Sequence, residues 1–88
     1  MTPPEVTLYV ADWCPFCLRA KELLTQKNVV FREVDVDADE KSREEMIARS
    51  NRRTVPQIFI GDRHIGGCDD LFALDSSGEL DRLIQGAG

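Results

Sequence analysis

The sequence lacks several features that would place it in whole classes of protein. Its 88 residues show no excess of basic side chains, since 11 lysines and arginines face 16 aspartates and glutamates and the net charge is −5. A nucleic-acid partner would require a basic face, so we expect none. No apolar run approaches the length of a membrane span, and we expect no membrane partner either.

Cysteine is scarce and odd in number, at three. An odd count fits a secreted disulfide framework poorly. Residues 1–5 show no basic region followed by a long apolar run, so we predict no export signal. We expect one domain over residues 1–88, acting in the cytoplasm as a monomer. In that compartment a closely spaced cysteine pair is more often catalytic or metal-binding than structural.

The sequence does contain a regular succession of short strands and helices. Runs rich in β-branched and aromatic residues predict four strands, over residues 5–10, 29–34, 57–60 and 63–65. Apolar residues at helical spacing predict four helices, over residues 15–27, 41–50, 69–74 and 79–84. This order predicts an α/β fold that begins with a parallel crossover. We expect a four-stranded mixed sheet with helices on both faces.

The second predicted helix carries a start signal and a polar face. Asp37 or Asp39 is expected to cap its first turn. Glu44 and Glu45 are expected to lie on its solvated side.

Two of the cysteines, Cys14 and Cys17, stand at the junction between the first strand and the first helix. Pro15 suits the first helical position, which makes Cys14 the N-cap. Its sulfur should face the free N–H groups of Phe16 and Cys17, and the helix dipole adds positive potential. Both effects stabilise the thiolate that attacks disulfides. We therefore predict a reactive dithiol, exposed at the crevice beyond the carboxyl ends of the strands.

Two other uses of the cysteines stay open on this reasoning. Cys14, Cys17, His64 and Cys68 could supply a zinc site with three cysteine ligands and one histidine ligand. Against this, a Gly-Gly break separates His64 from Cys68, and the cysteine pair opens a helix. The pair could also be inert core residues, which Pro15 at a helix start opposes.

Three short motifs together resemble those of the dithiol glutaredoxin family. They are Cys14-Pro15-Phe16-Cys17, Thr54-Val55-Pro56 and Gly66-Gly67-Cys68-Asp69-Asp70, in the family's order and spacing. The resemblance covers nearly the whole chain. It implies a thioredoxin fold, a cis peptide bond between Val55 and Pro56, and glutathione as co-substrate. It implies no tightly bound cofactor and no metal site.

The resemblance also implies roles for individual residues. Cys14 would attack the disulfide, and Cys17 would resolve a mixed disulfide with a protein. Nine positions would bind glutathione: Phe16, Arg52, Arg53, Thr54, Val55, Pro56, Gly67, Asp69 and Asp70. The aspartates, at a helix start, would receive the γ-glutamyl end, and the arginines would face the glycine carboxylate. An acidic first helical turn and solvated loop arginines explain the same charges without a ligand.

The chain departs from the family pattern just before the first cysteine. Where the family usually carries a lysine, this chain has Ala11 followed by Asp12, so a positive charge near the thiolate is missing. We expect Trp13 to pack beside the motif. We expect Cys68 to be a nearly inert, partly buried thiol.

The sequence thus predicts a glutathione-dependent thiol–disulfide oxidoreductase. Its partners would be glutathione and proteins that carry disulfides or glutathione adducts. One alternative is a dimer that holds a [2Fe–2S] cluster through Cys14 and glutathione thiolates. Another is a thioredoxin-like reductase that is served by a flavoprotein.

Overall fold

A computed structural model describes residues 4–85 and contains four strands and four helices within that range. In chain order they are β1 (Val6–Val10), α1 (Pro15–Gln26), β2 (Phe31–Asp35), α2 (Glu40–Ser50), β3 (Gln57–Ile60), β4 (Arg63–Gly66), α3 (Cys68–Ser77) and α4 (Glu79–Gln85). Residues 1–3, on which the predicted lack of an export signal partly rests, lie outside the described residues. Within them, no helix is long and apolar enough to cross a membrane.

The strands form one mixed sheet in the order β2-β1-β3-β4. β1 runs parallel to β2, with Val6 opposite Phe31, and antiparallel to β3, with Val6 opposite Ile60. β3 and β4 form an antiparallel hairpin. The predicted four-stranded mixed sheet and its initial parallel crossover are therefore confirmed.

Alternate residues of β1 pack on opposite faces of this sheet, as the two-residue period of a strand requires. Leu8 lies in an apolar cluster with residues of α1, α3 and α4, such as Leu24 and Leu71. Tyr9 lies in a second cluster, with Met46 of α2 and Phe59. The predicted placement of helices on both faces is confirmed, and β1 is buried along its whole length.

The second strand begins two residues later than its apolar run predicts. Asn28 has a left-handed φ of 59°, and the N–H of Val29 donates to the carbonyl of Leu24, 3.0 Å away. Val29 and Val30 therefore belong to the exit from α1, and Val30 is 92% exposed. The β-branched residues of this run favour a strand, but the chain must first leave the helix.

The third helix begins and ends outside its predicted range of residues 69–74. It starts at Cys68, and Ser76 and Ser77, predicted to lie in a loop, belong to its last turn. Gly78 ends it with a left-handed φ of 82°. Glycine adopts this conformation at little cost, so it sets the boundary more strongly than the serines before it.

In α2, Asp39 is the cap, and its carboxylate accepts a hydrogen bond from the N–H of Ser42 at 2.7 Å. The expected solvated side is correct for Glu44 and incomplete for Glu45. Although Glu45 is exposed, its carboxylate accepts a hydrogen bond from the hydroxyl of buried Tyr9. It therefore ties α2 to the sheet.

Candidate active site

Cys14 occupies the N-cap of α1, as the sequence predicts. Its backbone is extended, with φ −93° and ψ 109°, and Pro15 is the first helical residue. The N–H of Cys17 donates to the sulfur of Cys14 at 3.2 Å. Phe16, the other predicted donor, makes no such bond in the described part of the chain. The helix therefore presents one directed N–H group, together with its dipole, to this sulfur.

The sulfur of Cys14 also contacts the segment before β3. Its thiol donates to the carbonyl of Val55 at 3.6 Å, and the peptide bond between Val55 and Pro56 is cis, as the resemblance implied. The prediction that Cys14 is exposed is wrong, because only 3% of the residue faces solvent. The Cys17 N–H in the first turn of α1 and the Val55 carbonyl both contact its sulfur.

The second cysteine differs from the first in its electrostatics. Burial, reinforced by the hydrogen bond to Cys14, raises the pKa of Cys17 to about 12. Burial also raises the pKa of Cys68. Both groups are thus protonated thiols at neutral pH and poor nucleophiles.

This difference predicts the order of alkylation. With limiting iodoacetamide at pH 7, we expect Cys14 to be labelled well before Cys17 and Cys68, as read from the modified peptides by mass spectrometry. Of the three sulfurs, that of Cys14 accepts a hydrogen bond from an N–H at the start of a helix, a contact that favours the thiolate, whereas burial favours the protonated thiol at Cys17 and Cys68. Earlier labelling of Cys17 would contradict the assignment of Cys14 as nucleophile.

The raised pKa of Cys17 also predicts a loss of stability at high pH. Above about pH 8.5 the thiol ionises in the unfolded chain, whereas in the fold it keeps its proton until about pH 12. The unfolded state then binds fewer protons, so the free energy of unfolding of the reduced protein falls as pH rises through this window. Urea denaturation at several pH values measures it, and Cys17→Ser should flatten the decline. An equally steep decline in Cys17→Ser would contradict this origin.

A cleft of about 240 Å³ opens beside the dithiol. Eight of the nine positions predicted to bind glutathione line it: Phe16, Arg52, Thr54, Val55, Pro56, Gly67, Asp69 and Asp70. Phe16 is 52% exposed, so its ring offers an apolar surface to a ligand. The structure thus brings together segments that are about 50 residues apart in the sequence.

Asp70 both lines the cleft and caps the first turn of α3. Its carboxylate accepts a hydrogen bond from the N–H of Gly67 at 3.0 Å, which caps α3. The same oxygen lies 3.6 Å from the guanidinium of Arg52. The interpretation of Asp70 as part of an acidic first turn is therefore correct, and its position in the cleft is compatible with ligand binding too.

Arg53 is the predicted ligand residue that the structure leaves out of the cleft. It lines a different depression, on α2, with residues such as Arg43 and Glu44. Adjacent residues of an irregular segment point in different directions. Two consecutive arginines therefore cannot both be assigned from the sequence.

The four residues of the alternative zinc set are not assembled as ligands. The Nε2 of His64 lies 2.7 Å from the side-chain oxygen of Gln57. Burial, followed by the charge of Arg52, lowers the pKa of His64. Within residues 4–85, no three His, Cys, Asp or Glu side chains are grouped to hold a metal ion.

Of the residues just before Cys14, Ala11 lies inside the protein and Trp13 lies at its surface. Ala11 is buried in the apolar cluster, and its carbonyl accepts the N–H of Cys14 at 3.2 Å. Trp13 was expected to pack beside the motif but is 70% exposed. Its indole N–H donates to the carboxylate of Asp37 at 2.8 Å, and the guanidinium of Arg43 donates to that carboxylate at 2.6 Å. These hydrogen bonds, Trp13's foremost, lower the pKa of Asp37.

Gln57 and Cys68 line the cleft although the sequence did not mark them as site residues. Gln57 is 1% exposed, and its side chain reaches back to Thr54. A polar residue directly after Pro56, at the start of an otherwise apolar strand, is the signal that could have indicated it. Buried amides are retained where they have hydrogen-bond partners.

Comparison with known proteins shows similarity to one family in both sequence and structure. The glutaredoxin family model matches residues 6–65. Glutaredoxin 3 of Escherichia coli K12 is 56% identical over 81 residues, which are 92% of this chain and 98% of that protein. A solution structure of glutaredoxin from Brucella melitensis has a TM-score of 0.86 at 46% identity and covers 100% of this chain and 96% of its own. The structure of a buckwheat glutaredoxin–glutathione complex has a TM-score of 0.84 at 26% identity, over 92% and 76% of the two chains.

Proposed function

Since the chain belongs to the glutaredoxin family and shares its thioredoxin fold, it is a thiol–disulfide oxidoreductase, and we propose that glutathione is its reductant. The proposed substrates are glutathione mixed disulfides and protein disulfides. The enzyme needs no tightly bound cofactor for this reaction, because the two cysteines carry the electrons.

One observation carries the proposal: the N-cap sulfur of Cys14 lies against the Val55 carbonyl, at the wall of a cleft that bears both signs of charge. Glutathione is a zwitterionic tripeptide with two carboxylates and one ammonium group. Arg52 suits a carboxylate, and Asp70 suits the ammonium. Their mutual contact is long and half-exposed, so a ligand can replace it at little cost.

The backbone beside Cys14 suits a peptide as well. In our proposal, the main chain of Val55 pairs with the tripeptide as an added strand would. Phe16 covers the apolar part of the ligand. The free N–H groups at the start of α3 receive the γ-glutamyl carboxylate, next to Asp69.

The chemistry then follows from the two sulfurs. The Cys14 thiolate attacks the glutathione sulfur of a mixed disulfide, and the protein thiol leaves. A second glutathione attacks the resulting Cys14 adduct and releases oxidised glutathione. When the substrate is a protein disulfide, Cys17 loses its proton and attacks the mixed disulfide at Cys14, which forms the Cys14–Cys17 disulfide and releases the protein as a dithiol. Two glutathione molecules then reduce the Cys14–Cys17 disulfide and leave as oxidised glutathione.

The testing experiment is turnover of a small glutathione mixed disulfide, coupled to glutathione reductase and NADPH. We expect turnover with glutathione as the sole thiol reductant. Activity only with a flavoprotein reductase would instead support the thioredoxin-like alternative. Visible absorbance after anaerobic purification with glutathione would support the cluster-binding dimer, in which closure of the Cys14–Cys17 disulfide competes with the cluster.

The two arginines give a sharper prediction about the ligand. Arg52→Ala should raise the KM for the glutathione mixed disulfide up to about fivefold, since a partly exposed ionic contact contributes about 0.2–1 kcal/mol. The effect should shrink as salt rises, because exposed charges are screened. Steady-state kinetics in a salt series measures it.

Arg53→Ala is the matched control, because it removes the same charge one residue away and outside the cleft. We expect its KM to stay at the wild-type value. A larger effect from Arg53→Ala than from Arg52→Ala would mean that the bound state uses the second arginine.

We also propose that the enzyme acts in the cytoplasm and as a monomer. A reducing glutathione pool is a property of the cytoplasm, so we place the reaction there. The cleft and both cysteines belong to one chain, which is sufficient for the proposed reaction as a monomer. Separation of a cytoplasmic fraction and size-exclusion chromatography test the two statements.

A further inference from the structure

The side chain of Gln57 connects the cleft wall to the interior. It stands at the first position of β3, directly after Pro56, and is almost fully buried. Its amide nitrogen donates to the carbonyl of Thr54 at 3.0 Å and to the hydroxyl of Thr54 at 3.1 Å. These two hydrogen bonds tie Thr54 to Gln57 across the segment of residues 54–57 that lines the cleft.

The acceptors fix the direction of this amide. A main-chain carbonyl only accepts hydrogen bonds, so the nitrogen of Gln57 must face Thr54. Its oxygen then faces the Nε2 of His64, 2.7 Å away, and that nitrogen must carry the proton. The contacts thus assign the donor at every step from His64 to Thr54.

His64 is itself held in place by the core. Its ring stacks on Phe59, with ring centroids 4.8 Å apart and an interplanar angle of 27°. The guanidinium of Arg49 lies on the Phe59 ring as well, 4.1 Å from its centroid. A clamped imidazole is a fixed anchor for the amide of Gln57.

Residues 54–56, which form one wall of the cleft, belong to a segment, residues 51–56, that contains no helix or strand. Side-chain contacts therefore contribute to the position of this wall. We propose that Gln57 is a positioning residue that holds Thr54 and Val55 at the distance from Cys14 that substrate binding needs, and that His64 acts through Gln57. The inference rests on the proposed function, in which this wall pairs with the glutathione backbone. Neither residue touches the reacting sulfurs.

The test compares two variants of Gln57 in the coupled mixed-disulfide assay. Gln57→Glu keeps the shape and the bond from His64 but loses both donations to Thr54, and Gln57→Leu loses all three bonds. We expect each to raise the KM about threefold to tenfold, as for the loss of a buried hydrogen bond, with kcat within about twofold of wild type. Backbone ¹⁵N and ¹H shifts of Thr54 and Val55 should move in both variants.

His64→Phe tests the proposed route, because phenylalanine keeps the stacking on Phe59 and removes the donor. It should raise the KM in the wild-type background and have no further effect in Gln57→Leu, since the two residues act in series. Ser77→Ala is the control, because it removes a side-chain-to-backbone bond at the far end of α3. If Gln57→Leu fails to fold, the KM values of Gln57→Glu and His64→Phe still test the positioning role.

The outcomes separate this inference from the proposed function. An unchanged KM in the Gln57 variants, or a loss confined to kcat, overturns the positioning role while wild-type turnover upholds the function. Equal and additive effects of His64→Phe in both backgrounds overturn the route through Gln57. Absence of wild-type turnover with glutathione overturns the function and the inference together.

Discussion

We expect Cys14→Ser to abolish both deglutathionylation and protein-disulfide reduction, whereas Cys17→Ser retains most of the first activity and loses most of the second. Cys14 is the N-cap of α1, and its sulfur accepts the N–H of Cys17, which is the contact expected of the attacking sulfur. Serine is a far weaker nucleophile at neutral pH, so no step can begin. Cys17 is required only where a mixed disulfide must be resolved within the enzyme.

Two assays on the same preparations measure this separation. One follows a small glutathione mixed disulfide, and the other follows reduction of a protein disulfide. Mass spectrometry of Cys17→Ser should show a single glutathione adduct, on Cys14. Equal losses from both substitutions in the first assay would contradict the assigned roles, as would an adduct on Cys68.

The fold could be predicted from the sequence where local and tertiary signals agree. β1 is buried on both faces, so its β-branched and aromatic residues and its burial favour the same structure. The prediction failed by two residues at β2, where the helix exit at Asn28 overrides the strand propensity of Val29 and Val30. Such a boundary depends on one left-handed residue, which the apolar pattern does not report.

The candidate site could be predicted only as far as its motifs reach. Cys14 at the helix start follows from Pro15 and the preceding strand. The separation of Arg52 from Arg53 depends on the path of an irregular segment, and the exposure of Trp13 depends on a distant carboxylate at Asp37. Gln57 shows the same limit, because its role depends on His64 across a hairpin.

We expect Gly66→Ala, at the end of β4 and directly before the cleft residue Gly67, to be strongly destabilising for a single added methyl group. Gly66 has a φ of 119°, and an added Cβ would stand 2.7 Å from the carboxyl carbon of Asp70. The backbone strain costs about 1–3 kcal/mol, and displacement of the Asp70 cap adds about 0.5–2 kcal/mol. A total near 2–4 kcal/mol should lower the melting temperature by about 10 °C or more. Calorimetry of the reduced protein measures it.

Gly78→Ala provides the matched control for the contact with Asp70. Gly78 also has a positive φ, 82°, but an added Cβ would meet nothing within 4 Å among the described residues. It should cost only the left-handed penalty, about 1 kcal/mol. Adding Asp70→Ala to Gly66→Ala should cost less than Asp70→Ala costs alone in the wild type, because the clash and the cap involve the same carboxylate. If Gly66→Ala and Gly78→Ala destabilise the protein equally, the close approach of Gly66 to Asp70 does not constrain the chain at this point.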